Sequence, residues 1–207
     1  MTQSELSDKF DVLLASYEGG IELDEYEKSV FFNKAHVDLI REYYIGLTPS
    51  GRSYDSSEES KSYFSRYLYS ITYDIPENEF ISISRESNCL FIISEYVKDE
   101  NIHIPVVPVS HDDYIKVLNN PFKNHRTRRR ALRIDMGEND PDNPSYQVIS
   151  SIPGVYTCWY IGFDPEIDFV HSGNQDVMIH PTFLEIILQR AVELAVQSRG
   201  MIKKSNV

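Results

Sequence analysis

His111-Asp112-Asp113 is the tract of this 207-residue chain whose residue types could most directly do chemistry. With His103, His171 or His180 as partners, His111 and Asp113 would offer the imidazole and carboxylate ligands of a metal-activated water, the donor set of a hydrolase built on His111, Asp113 and His180. Adjacent residues on a helix point in different directions, however, so at best two of the three could converge. Ser110 precedes the tract, and Asp112 and Asp113 suit the positive end of a short helix, so capping accounts for both acids without a metal. Nucleophilic catalysis would need Cys89 or Cys158 beside a base. Both lie in apolar strand-like runs, where a thiol is an inert small hydrophobe, and two distant cysteines give no disulfide framework. The nine glycines form no GxGxxG and no GxxxxGK[ST], and GxSxG, HExxH and CxxC are also missing. No enzymatic activity, metal or cofactor is expected.

A second chemical feature is electrostatic. Lys123, Arg126, Arg128, Arg129, Arg130 and Arg133 place six of the twenty basic residues in eleven positions free of acid, within a chain of net charge -12. Three readings stand open: a solvated loop, a nucleic-acid contact through Arg126–Arg133, or a contact with an acidic surface on a partner or an identical neighbour. Between Lys123 and Arg133 there is no aromatic on which a base could stack. The acidic remainder of the chain, with pI near 4.9, opposes a general nucleic-acid binder. It also allows basic edge to meet acidic edge head to tail, a heterologous contact that generates rings when the rotation closes.

The elements that carry these residues follow from periodicity. Thr2 with Glu5 and Asp24 with Glu27 have capping-box spacing. Behind them Leu6, Phe10, Leu13, Leu14 and Tyr17, then Tyr26, Val30, Val37, Ile40 and Tyr44, recur at helical spacing. Gly19-Gly20 and Gly46 with Pro49 end the two helices, and their short connection predicts an antiparallel hairpin. TPSGRSYDSSEES reads as a loop; Ser56 with Glu59 then caps a third helix carrying Tyr63, Phe64, Tyr67, Leu68 and Ile71.

From Phe80 the period becomes two. Phe80–Ser84, Cys89–Val97, His103–Val109, Arg129–Asp135, YQVISSI and VYTCWYIGF are strand candidates, and an antiparallel sheet of about five strands is expected rather than βαβ units. Pro105 and Pro108 remove ladder donors, so His103–Val109 is an edge strand or ends early. A short helix with Tyr114, Val117 and Leu118 ends at Asn119-Asn120-Pro121, and MGENDPDNPS is a turn region. His180-Pro181 opens a closing helix with Leu184, Ile187, Leu188, Ala191, Leu194 and Ala195 on one stripe, ended by Arg199-Gly200. The expectation is an α+β fold: an amphipathic helical hairpin or bundle, an antiparallel β-sheet region and a C-terminal packing helix. It is one domain over 1–207, helical over 1–75, β-rich over 79–163 with a short inserted helix, and closed by the helix at 179–200. MTQSELSDKF has no apolar core of a signal peptide and no apolar run spans a bilayer, so no membrane contact is expected.

Four segments together carry a resemblance: LDEYEKSVFFNKAHVDLIREYY (23–44), ISRESNCLFIISEYV (83–97), VVPVSHDDYIKVLNNPF (106–122) and IHPTFLEIILQRAVELA (179–195). In this order they resemble the head-to-tail adaptor, or ring, proteins of short-tailed phages, in particular the virion ring proteins of crAss-like phages. The resemblance covers most of the chain and contains no catalytic signature. It implies a structural virion protein, assembled in the host cytoplasm, that forms a homo-oligomeric, dodecameric ring in the head-to-tail connector. It further implies that the ring joins portal to tail, meets portal protein and neighbouring ring or tail proteins, and passes genomic DNA through its channel without sequence-specific binding. The family has no catalytic residues to carry over. Lys123, Arg126, Arg128, Arg129, Arg130 and Arg133 are the expected protein–protein interface on their own charge, with Thr48–Ser60 and the termini as candidates for ordering on assembly.

Overall fold

The capping boxes read at Thr2 and Asp24 form as expected. The computed structural model describes residues 1–17, 22–46, 58–84, 86, 88–100, 102–124, 130–136, 145–165, 167–171 and 174–199. Thr2 opens α1 (Gln3–Ala15) and Asp24 opens α2 (Glu25–Ile45). In each box the cap accepts an N–H from the third helical residue while its own N–H donates to Glu5 or Glu27. Gly46, at φ 77°, ends α2 in the left-handed region that glycine enters without strain. The Gly19-Gly20 pair, the Ser56 cap, most of the Thr48–Ser60 loop and nearly all of the MGENDPDNPS turn lie outside the described residues, as do Gly200 and the tail after it.

The chain divides into two compact units, Met1–Ser65 with Asp164–Val207, and Arg66–Phe163. In the first, α2 packs chiefly against α5 (Pro181–Ser198), and α1 rests on both. Arg190 grips Glu42 with two bonds of 2.8 and 2.6 Å near the end of α2, while Arg199, past the end of α5, reaches Glu27 in the first turn of α2 at 2.7 Å. The two helices therefore run antiparallel. The chief partner of α2 is thus α5 rather than α1, because α5 offers the continuous apolar stripe, from Phe183 through Leu188 and Ala191 to Val196.

The buried face of α2 also differs from the expected stripe. Phe32, Ala35, Leu39 and Ile40 face inward with Lys28, Ser29 and His36, whereas Tyr26 is 68% exposed and Val30 is exposed. Lys28 is tolerated there because its Nζ donates to Ser7 (3.0 Å), Asp11 (2.7 Å) and Glu25 (2.9 Å). Burial alone would lower its pKa, but the hydrogen bonds and charges of Asp11 and Glu25 turn the net shift upward. Ser29 accepts the N–H of Phe169, and Asn33 donates to the Ile167 carbonyl, so the segment after the sheet is latched onto α2. Tyr43, Tyr63 and Phe183 close this core, with Tyr63 and Phe183 centroids 4.2 Å apart.

The third helix, α3 (Glu58–Phe64), stops before the expected Leu68 and Ile71, which lie instead in β1 (Leu68–Ile75). YLYSITYDI is rich in aromatic and β-branched residues, and that strand preference outweighs the helical spacing read through it. The sheet then adds β2 (Phe80–Ser84), β3 (Cys89–Asp99), β4 (Ile102–Val109), β5 (Ala131–Asp135), β6 (Ser145–Ser150) and β7 (Gly154–Gly162), with α4 (His111–Asn119) between β4 and β5. Seven strands stand in the order β1-β7-β3-β4-β5-β6-β2, two more than the five or so expected.

Two expectations about β4 are corrected. It lies inside the sheet rather than at its edge, and it joins β5 in parallel through α4, one βαβ unit in an otherwise antiparallel sheet. Ile102–Pro105 pairs with β3, and Val106–Val109 pairs with β5. Each half thus has one ladder partner only, and alternate N–H groups need none. Proline is tolerated at Pro105 and Pro108 for the same reason it is tolerated at an edge.

All seven strands contribute to one buried cluster that includes Ile75, Ile83, Val97, Ile104, Val148 and Tyr156. Cys158 lies in it as a free thiol, pushed up to about 11 first by burial and then by the nearby Glu95 charge, whereas Cys89 is only half-buried. Within this apolar cluster sits a charged one. Glu95 of β3 pairs with the Arg133 guanidinium of β5, their side chains 6% and 13% exposed. The Tyr156 hydroxyl donates to the other Glu95 oxygen at 2.6 Å, Asp135 lies 3.2 Å from Arg133 Nε, and Arg133 stands 5.6 Å over the Tyr146 ring. Burial, then the Glu95 charge, raises the Tyr156 pKa, so its hydroxyl stays a donor.

Two outcomes follow for stability, both read by urea unfolding followed through Trp159, the single tryptophan, which lies in β7. Arg133→Met leaves Glu95 buried without its cation and lowers stability by about 3–5 kcal/mol, while Glu95→Leu with Arg133→Met recovers most of the loss. Equal losses for the single and the double variant would contradict this. Gly154→Ala would set a Cβ 2.4 Å from the Lys98 carbonyl oxygen, and lowers stability by about 3 kcal/mol; an unchanged midpoint would show that the β3–β7 approach is looser than described.

Candidate assembly surfaces

Among the described residues the metal constellation considered above is not gathered. Ser110 caps α4, with its hydroxyl accepting from Asp113 N–H at 3.3 Å and donating to Asp113 Oδ2 at 2.9 Å. Lys116 holds the other Asp113 oxygen at 2.6 Å, and this bond, then the one from Ser110, lowers the Asp113 pKa. His111 and Asp113 open α4 in the second unit, while His180 caps α5 in the first, its Nδ1 accepting from Thr182 N–H at 3.4 Å. No group of three or more potential metal ligands is gathered among the described residues. His171 bonds Asp168 at 2.8 Å across an exposed turn, and His103 packs edge-on against Tyr96.

The basic run has a different setting. After α4 the chain turns on Asn120, whose side-chain oxygen accepts from Phe122 N–H at 2.9 Å and whose carbonyl accepts from Lys123 and Asn124 at 2.9 and 2.8 Å. Asn124 ties back to the Leu118 carbonyl at 2.7 Å. This turn leaves Phe122 67% exposed and Lys123 exposed. At the other end Arg130 is moored by its backbone: its N–H donates to Ser151 Oγ at 3.0 Å and its carbonyl accepts from Ser151 N–H at 3.1 Å. Arg126, Arg128 and Arg129 lie outside the described residues. Arg133 is turned into the sheet by Glu95, whereas of the other described members Lys123 is exposed and Arg130 half-buried.

Lys123 and Arg130 rim a groove of about 530 Å³ between α4 and strands β4 and β5. Its floor is Val107, Val109, Val117 and Leu132, and Lys116 adds a third cation already paired with Asp113. α4 buries none of its residues fully, and Ile115 on it is as exposed as Phe122. The first unit carries a separate apolar groove of about 650 Å³, lined by Leu6, Val12, Leu13, Ile179, Leu184 and Leu188 among others. Exposed Ile115, Phe122, Tyr26 and Val30 were not singled out from the sequence as surface residues. The signal available was the amphipathic pattern of HDDYIKVLN, whose short length left Ile115 without a facing element.

Among the described residues no helix is long and apolar enough to cross a membrane. The charge is uneven: Met1–Ser65 with Asp164–Val207 carries 19 acidic and 10 basic residues, Arg66–Phe163 carries 13 and 10, and six of those ten lie in 123–133. Among the described residues the geometry offers two grooves and exposed apolar side chains rather than a gathered set of metal ligands.

Comparison with known proteins agrees. The family model described as phage tail ring protein 3/4 matches residues 1–206. Ring protein 3 of Bacteroides phage crAss001 is 29% identical over 230 aligned residues, covering 98% of each chain. Ring protein 4/5 of the same phage is 27% identical over 236, covering 94% of this chain and 92% of its own. The family and both relatives are described as phage ring proteins, a structural virion role and not an enzyme family. The chain belongs to the phage tail ring protein 3/4 family.

Proposed function

We propose that this protein forms a homo-oligomeric, dodecameric ring in the head-to-tail connector of a short-tailed phage, joining portal to tail and extending the DNA channel. The observation that carries the reading is the match to the phage tail ring protein 3/4 family along residues 1–206. Both units serve one connector module of 1–207, assembled in the host cytoplasm and carried in the virion. Its partners are portal protein, neighbouring ring or tail proteins and the DNA that passes through. The net charge of -12 suits a wall that DNA slides past, because like charge keeps the polymer from sticking.

Lys123, Arg126, Arg128, Arg129 and Arg130 are the interface residues of this reading; Arg133 holds the sheet from within. The alternative, a nucleic-acid module using Arg126–Arg133, demands an affinity for DNA that falls steeply with salt. Purified subunits mixed with portal protein and viewed by negative-stain microscopy test the proposal. Closed rings stacked on the portal are expected. Single subunits indifferent to portal at high concentration would overturn it.

A further inference from the structure

We propose that the groove beside α4 is the receiving half of the subunit–subunit junction, and that its occupant is the acidic opening of α2 in a second copy of this chain. The inference rests on the ring reading above and goes beyond it by naming the two surfaces. On one side are an apolar floor with Val107, Val117 and Leu132, a cationic rim of Lys123 and Arg130, and exposed Phe122. On the other are four carboxylates in six positions, Glu22, Asp24, Glu25 and Glu27, around Tyr26, which is 68% exposed, with Val30 exposed one turn on.

Within its own unit Asp24 and Glu27 cap α2, Glu25 pairs with Lys28 and Glu27 with Arg199, which leaves Glu22 and the exposed Tyr26 and Val30 to be explained by something else. Exposed aromatic and aliphatic side chains beside concentrated charge mark a contact, and these two patches are complementary in both respects. The groove lies in Arg66–Phe163 and the patch in Met1–Ser65, so they are different surfaces of one chain. A contact between different surfaces of identical chains is heterologous, and it closes into a ring when its rotation permits. Tyr26 supplies the large, rigid anchor that such a junction needs at its centre, and the carboxylates order the approach.

Charge reversal and complementation test this. Lys123→Glu with Arg130→Glu spoils the groove; Glu22→Lys with Tyr26→Ala spoils the patch while sparing the Asp24 cap and the Glu25–Lys28 pair. Oligomeric state is read by native mass spectrometry at high protein concentration and low salt. The unaltered chain assembles, and each variant alone weakens the junction by about 100-fold and runs as a monomer. A one-to-one mixture of the two variants gives a heterodimer and nothing larger, since one intact junction remains; this outcome also requires both variants to be folded. Lys123→Glu alone, at an exposed turn, weakens assembly in the same direction.

Variants that assemble like the unaltered chain, or a mixture that gives no heterodimer, would overturn the junction while leaving the ring standing. An unaltered chain that stays monomeric would overturn the ring reading and the junction with it. Loss of binding to a short DNA duplex in the groove variant, with its assembly intact, would reassign the groove to nucleic acid.

Discussion

The pair between Glu95 and Arg133, with Tyr156 donating to the same carboxylate, is the constraint on which the sheet depends. β4 pairs with β3 along its first half and with β5 along its second, so past Pro105 no ladder runs directly from β3 through β4 to β5. Glu95 and Arg133 connect β3 and β5 from the inside. An ion pair with its desolvation is a costly way to fill a core, and a well-packed apolar substitute is often as stable. What the pair adds is register: the bond from Arg133 to Glu95 and the donor from Tyr156 fix three strands relative to one another. That role also removes Arg133 from the exposed basic run it belongs to by sequence.

The same logic of satisfied buried charge operates in the helical unit. Lys28 holds Asp11 and Glu25, linking α1 to α2, and Arg190 holds Glu42, linking α5 to α2. With these groups turned inward or paired, several apolar side chains still stand in solvent. Ile115, Phe122, Tyr26 and Val30 stand beside charge of one sign or the other. A subunit of a ring must present two unlike, complementary surfaces, and uneven charge is the economical way to keep them from pairing in the wrong order.

The caps, the closing helix and six of the seven strands were legible in the sequence because local chemistry decides them. Thr2, Asp24, Ser110 and His180-Pro181 act within one turn of themselves, and FISIS or VYTCWYIGF needs only a half-buried sheet. β1 was misread because Tyr63, Tyr67 and Ile71 satisfy a helical spacing while YLYSITYDI prefers a strand. The phase of α2 was misread because Lys28 and Ser29 are buried through partners far along the chain, Asp11 and Phe169. For the candidate surface, the charge segregation at 123–133 was visible, but Glu95 as the partner of Arg133 was not. A lone acid in the apolar run CLFIISEYV was the available sign of a buried cation opposite it.

Cryo-electron microscopy of the assembled ring, at a resolution that traces side chains, tests the central claim most directly. The account predicts a closed ring in which Lys123 and Arg130 of every copy face the acidic opening of α2, around Tyr26, in the next. A ring joined by like surfaces, or one with the α4 groove open to solvent all the way round, would contradict it.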